Sequence, residues 1–152
     1  MIEEKLKELG ITLPEPLKPV GAYTTALKVG NLLFLSGILP FREGKLLRKG
    51  KVDKNVSIKE ASEEALQVVL NALAIVKDYI GNLDKIRQCV KVTGYIASSE
   101  SFTEHPKVLN PASELLMKIF GENGKHCRVA VGVYSLPLDA VVEMDFIFEL
   151  KK

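Results

Sequence analysis

The stretch from His126 to Leu150 constrains this chain more than any other, because it reads as two alternating strands joined by a Pro-containing turn. With Leu136 to Asp139 as the turn, Val129, Val131 and Val133 lie across from Phe146, Met144 and Val142, and paired residues share one face of a sheet. That face is wholly apolar. The opposite face carries Arg128, Ala130, Gly132 and Tyr134 on one strand and Val141, Glu143, Asp145 and Ile147 on the next. An arginine and a pair of carboxylates are costly to bury without partners. This face therefore meets water, another subunit or a ligand.

The rest of the chain predicts what could pack against such a hairpin. Residues 2–9 set Ile2, Leu6 and Leu9 among Glu and Lys, a short amphipathic helix closed by Gly10. Prolines at 14, 16 and 19 then form an extended connector, so residues 1–20 read as an arm and 21–152 as the domain proper. Ala22–Val29 and Leu32–Leu39 make a second hairpin turned by Gly30-Asn31, with Tyr23, Thr25, Leu27, Phe34, Ser36 and Ile38 on one face. Residues 41–55 are a charged loop with a small strand near Leu46 and Leu47. Ser57-Ile-Lys-Glu60 fits a capping box. It opens a long helix whose Ala61, Ala65, Leu66, Val69, Ala72, Leu73, Val76 and Ile80 form one stripe, stopped at Gly81. Ile86–Ala97 follows as a strand. A second helix is expected over Asn110–Phe120, with Asn110 as N-cap and Pro111 in the first helical position, and the segment from His105 is a candidate for an earlier turn.

The resulting order, β-β-α-β-α-β-β, is an α+β chain with a mixed sheet and two helices on one of its faces. Nothing within the chain covers the other face. With 152 residues, a single domain is expected, long enough to bury most of its unfolded surface. A net charge of +2 gives none of the field that marks a dedicated nucleic-acid binder. The start Met1-Ile-Glu-Glu-Lys lacks the basic head and apolar core of a secretory signal, and no apolar run is long enough for a membrane span, so a cytoplasmic location is expected. Cys89, Cys127, His105 and His126 stand at no metal-ligand spacing. Reduced thiols, buried as small hydrophobes, no metal and no cofactor are expected.

The run Cys127-Arg-Val-Ala-Val-Gly-Val-Tyr-Ser-Leu-Pro-Leu-Asp-Ala-Val-Val-Glu143, with an arginine, Leu-Pro beginning eight positions on, and a glutamate six beyond that proline, resembles the Rid (YjgF-type) reactive-intermediate deaminase family. Gly21-Ala-Tyr-Thr-Thr, Gly30-Asn-Leu-Leu-Phe-Leu-Ser-Gly37 and Val108-Leu-Asn110 extend the resemblance over nearly everything after residue 20. It implies a chorismate-mutase-like fold assembled as a homotrimer, a central barrel of three sheets, and ligand clefts between adjacent subunits. In members that act as deaminases, an unstable enamine or imine derived from an amino acid becomes a 2-keto acid and ammonia. The family arginine and glutamate match Arg128 and Glu143, and its cleft tyrosine, serine and asparagine match Tyr23, Ser36 and Asn110. Val129 and Ala130 depart from the family's usual serine and cysteine, and Leu35 replaces a polar residue, so a less polar cleft is expected.

Each matched side chain suits such chemistry. A guanidinium forms paired, charge-assisted hydrogen bonds to a carboxylate, so Arg128 would hold the acid end of a small carboxylate-bearing metabolite; the alternative is a structural ion pair with Glu143, Asp145 or a neighbouring subunit. Glu143 would polarise the attacking water, or else pair with a cation across the subunit interface. Ser36 and Tyr23 would supply hydrogen bonds, Asn110 its amide as well as a cap, and Ala130 its backbone N–H. The same cleft would also serve a protein that binds a 2-keto acid without turnover. Ribonuclease or translation-inhibitor activity, the older label of some relatives, lacks a histidine pair at hydrolytic spacing or an aromatic-basic array.

Overall fold

Ser57 opens the element that organises the core. In a computed structural model describing residues 1–152, its hydroxyl accepts from the Glu60 amide and the Glu60 carboxylate accepts from the Ser57 amide, both at 3.0 Å. Helix α2 (Ile58–Ile80) runs from this box to Gly81, which takes a positive φ. Its stripe of Ala61, Ala65, Val69, Ala72, Leu73 and Val76 is buried. The order is α1 (Ile2–Glu8), β1 (Ala26–Val29), β2 (Leu32–Leu35), β3 (Phe41–Arg42), β4 (Lys45–Leu46), α2, β5 (Ile86–Ala97), α3 (His105–Phe120), β6 (Cys127–Val133) and β7 (Val142–Leu150). The expected strand–strand–helix–strand–helix–strand–strand order is present. The expected helix α1 is present in the arm, and the small strand expected near Leu46 is β4, paired with β3 in a hairpin that turns through Glu43 and Gly44, both at positive φ.

The main sheet has the order β1-β2-β7-β5-β6. This corrects the expected terminal hairpin. β6 does not pair with β7; it lies parallel to β5 at the sheet edge, and β7 sits between β2 and β5, antiparallel to both. An alternating pattern says which residues share a face but not which strand lies beside which, and residues 134–141 span one intervening strand. The consequence is a reversal of faces in β6. Arg128 pairs with Val92, which pairs with the buried Phe146, so Arg128, Ala130 and Gly132 lie on the helix-covered side. Val129 and Val131, expected in the core, are about 40% exposed on the open side. Cys127 joins them there, exposed rather than buried. Cys89 is buried, which pushes its thiol up to about 12.

The covered side is packed by Leu33, Val92, Ile96, Met144, Phe146 and Phe148 against α2 and α3 in one apolar cluster that also takes in Leu6 of the arm. The open side carries Leu27, Val29, Leu32, Phe34, Val129 and Val131, all exposed, together with Tyr95, Glu143 and Asp145. Glu143, Asp145 and Ile147 thus lie on the uncovered face, as expected, without Arg128.

Helix α3 starts a turn earlier than Asn110. Val108 and Leu109 are fully buried, and Leu109 packs where a Cβ on Gly94 would overlap it. That burial holds the extra turn despite Pro111, whose missing N–H lies well inside the helix. Asn110 is therefore not an N-cap; Glu104 holds that position, without a capping side-chain bond.

One buried ionic group was not anticipated. Glu64 is fully buried on α2 and accepts from Arg42 at 2.7 and 2.9 Å and from Arg48 at 3.0 Å, which ties the β3–β4 hairpin to the helix. Arg48 also reaches Glu63 at 2.8 Å. Nearby, the Asn71 amide donates to the carbonyls of Leu39 and Phe41 at 3.1 and 3.0 Å. Removing one partner of a buried pair typically costs about 3 kcal/mol. Glu64→Ala is expected to lower unfolding stability by about that amount, read as a drop in the urea midpoint with an unchanged slope.

Candidate functional site

The site begins with a break in strand register. Phe34 pairs with Ile147, whereas Ile38 bridges Met144, so residues 34–38 take one step more than 144–147 and β2 ends in a bulge at Ser36-Gly37. The bulge turns Ile38 into the core and leaves bare backbone at Gly37. There the Glu143 side chain comes so close that a Cβ on Gly37 would overlap Oε2. Any side chain at this position would displace the Glu143 carboxylate from its place over the backbone.

Around this point opens a cleft of ≈ 520 Å³. Tyr23, Ser36 and Glu143 all line it, with Thr25 and Pro137 beside them. Three of the six residues expected to meet a ligand are brought together. The Ser36 hydroxyl donates to the Thr24 carbonyl at 2.6 Å, which leaves its lone pairs for a ligand to donate to. The Tyr23 hydroxyl accepts from the Val20 amide at 3.4 Å and keeps its own proton. Burial, then the neighbouring Asp145 charge, raises Glu143 above the ordinary glutamate range. Asp145 in turn accepts from Tyr95 Oη at 3.0 Å.

Arg128, Asn110 and Ala130 form a second group, outside that cleft, between β6 and α3. Arg128 donates to Asn110 Oδ1 at 2.9 Å and to Ser113 Oγ at 3.2 Å. His126 Nδ1 lies 2.6 Å from the Gly124 carbonyl, which can only accept, so Nδ1 carries the proton and Nε2 accepts from Ser113 Oγ at 2.9 Å. Ser113 and His126 were absent from the residues singled out in the sequence. A local signal was available for each: His126 stands two positions before Arg128 and Ser113 three after Asn110, spacings that share a strand face and a helix face. The other three arginines each face a carboxylate, Arg42 on Glu64, Arg48 on Glu60, Glu63 and Glu64, and Arg87 on Glu149. Arg128 alone is held by neutral groups, and the ion pair with Glu143 or Asp145 does not form within the chain. No three His, Cys, Asp or Glu side chains are placed to hold a metal ion.

The family model described as "YjgF/chorismate_mutase-like, putative endoribonuclease" matches residues 3–150. The chain belongs to the YjgF (Rid) family. Its sheet, with helices on one face, is the chorismate-mutase-like fold of that family. Among solved structures, the Agrobacterium tumefaciens protein Atu1372, titled as of unknown function, is similar at a TM-score of 0.91 and 42% identity, covering 99% of this chain and 92% of the other. Among curated relatives, protein TCP17 of Trypanosoma cruzi is 35% identical over 98% of this chain and 94% of its own. A Dermatophagoides farinae relative named 2-iminobutanoate/2-iminopropanoate deaminase is 30% identical over 90% of this chain and 92% of its own.

Glu143 carries a pH signature here. A carboxylate raised on folding adds stability while protonated, and that contribution is lost as pH rises through its folded value. Glu143→Gln is therefore expected to raise the denaturation midpoint at neutral pH and to change it little at about pH 4. Asp145→Asn should bring the Glu143 titration, followed by carboxyl-carbon NMR, part of the way back toward the ordinary range, because burial remains.

Proposed function

We propose that this Rid-family chain hydrolyses reactive 2-imino acids to 2-keto acids and ammonia in the cytoplasm, in a cleft that a neighbouring subunit of a homotrimer completes. The observation that carries the reading is Glu143, with its raised titration, placed over bare backbone in one cleft with Ser36 and Tyr23. A base in that environment suits proton transfer near neutral pH. The deaminase name of the mite relative supports the same chemistry.

In this reading, Glu143 takes a proton from water as its oxygen adds to the imine carbon. It returns that proton to nitrogen, giving a carbinolamine; it then carries the hydroxyl proton to the same nitrogen, and the carbon–nitrogen bond breaks as the carbonyl forms. Water and the imine are consumed; ammonia and the 2-keto acid leave. Ser36 accepts a hydrogen bond from the imine N–H or the water, and Tyr23 donates one to the developing oxygen.

Arg128 serves the carboxylate end. Its position away from the cleft of its own chain fits a role in the cleft of the next subunit. The open sheet face, with its exposed apolar residues and two carboxylates lacking a cation, suits burial in a trimeric barrel. Asn110 keeps its NH2 group for the ligand while its oxygen holds Arg128, and Ala130 lends a backbone N–H from the edge strand.

A second reading, binding of a 2-keto acid without turnover, is favoured by Ser36, whose single proton is already spent on Thr24. The two separate in one assay. When an amino-acid oxidase generates the imine in situ, the purified protein is expected to speed 2-keto acid appearance. Arg128→Ala should lower kcat/KM about a hundredfold through loss of a charge-assisted bidentate contact, and Glu143→Gln should lower kcat. Saturable calorimetric binding with no acceleration over buffer selects the binding reading.

A further inference from the structure

The arm has no part in the chemistry above, yet it builds one wall of the cleft. Leu17, Lys18 and Val20 line it, facing Ile38, Leu39, Phe41 and Ile75. The arm is fixed at its root: the Ile2 and Glu3 amides donate to Asp84 Oδ1, and Glu3 accepts from Lys77 and from the Leu83 amide, each at 3.1 Å. Leu6 is buried, and Ile11, Leu13 and Leu17 pack against the core. Pro14, Pro16 and Pro19 restrict the backbone between that root and the cleft. The opposite wall is fixed too, because Asn71 holds the carbonyls of both Leu39 and Phe41.

The cleft is therefore two-ended. Tyr23, Ser36 and Glu143 cluster at the bulge, and the remaining lining toward α2 and the arm is apolar apart from Lys18. A three-carbon imino acid bound at the polar end would fill a minor part of ≈ 520 Å³ and leave the rest as water against apolar walls. We infer that the cleft takes 2-imino or 2-keto acids with branched or aromatic side chains, and that Leu17 and Val20 of the arm are its specificity determinants. The substrate class rests on the function proposed above. Lys18, the one cation this chain itself places in the lining, adds rejection of cationic side chains at the apolar end.

The test compares imines generated in situ from alanine, leucine and phenylalanine. The leucine- and phenylalanine-derived imines are expected to show kcat/KM at least about tenfold above the alanine-derived one, since a single methylene in an apolar pocket discriminates by that order. Val20→Asp, at a residue 90% exposed and so without consequence for folding, should cut that preference about tenfold. Leu17→Ser should do the same, its fold checked by circular dichroism. Equal kcat/KM for the three imines would overturn the inference, as would variants that slow all three alike. If no imine is hydrolysed, the deaminase reading falls and calorimetry decides the inference alone. Tighter binding of 4-methyl-2-oxopentanoate than of pyruvate supports it; equal binding, or none, overturns it.

Discussion

A sheet has two faces, and this chain has long helices enough for one. Everything notable in the structure follows from where that cover stops. On the covered side α2 and α3 remove Leu33, Met144, Phe146 and Phe148 from water, each worth roughly 2 kcal/mol in side-chain burial. On the other side, apolar side chains of comparable size, Leu27, Phe34, Val129 and Val131, remain exposed beside Glu143 and Asp145. The polarity of the cleft is set at the boundary between the two regimes. Glu143 stands on the open face but leans over the bulge into partial burial, which is why its ionisation is disfavoured, while Asp145 beside it accepts from Tyr95.

Local signals were legible in the sequence where a single segment decides the outcome. The Ser57–Glu60 box, the glycine stops after α1 and α2, and both ends of β5 depend on neighbours a few residues away. Pairing between distant strands does not. The alternation of β6 and β7 was correctly read, yet the insertion of β7 between β2 and β5 reversed the side on which Arg128 sits. The early start of α3 was likewise settled by tertiary burial of Val108 and Leu109 overriding proline chemistry. Glu64 is not among the residues the sequence singled out. Its spacing from Ala61 and Val68 puts it on the buried stripe, and that was the available clue.

The two groups of candidate residues differ in how they are held. Tyr23, Ser36 and Glu143 are placed by backbone events: an extended arm, a bulge and a bare glycine. Arg128 is placed by side chains, through Asn110, Ser113 and a His126 whose tautomer the Gly124 carbonyl dictates. Sequence motifs record the first kind well, since bulges and glycines are local. The second kind joins two local pairs, Asn110 with Ser113 on α3 and His126 with Arg128 at β6, and that the pairs meet emerges only once those elements are packed.

The central position of β7 has a consequence for how the molecule is made. The last strand in chain order lies in the middle of the sheet, hydrogen-bonded to β2 on one side and β5 on the other. Until it arrives, β1–β2 and β5–β6 are two separate fragments, each with an unpaired edge and half of an apolar surface. The parallel β5–β6 pairing already requires α3 as its crossover, and closing the sheet adds contacts between residues more than a hundred positions apart, such as Phe34 with Ile147. Sheet closure is thus a late, non-local event, and during synthesis the two fragments must wait with exposed edges for the segment that joins them.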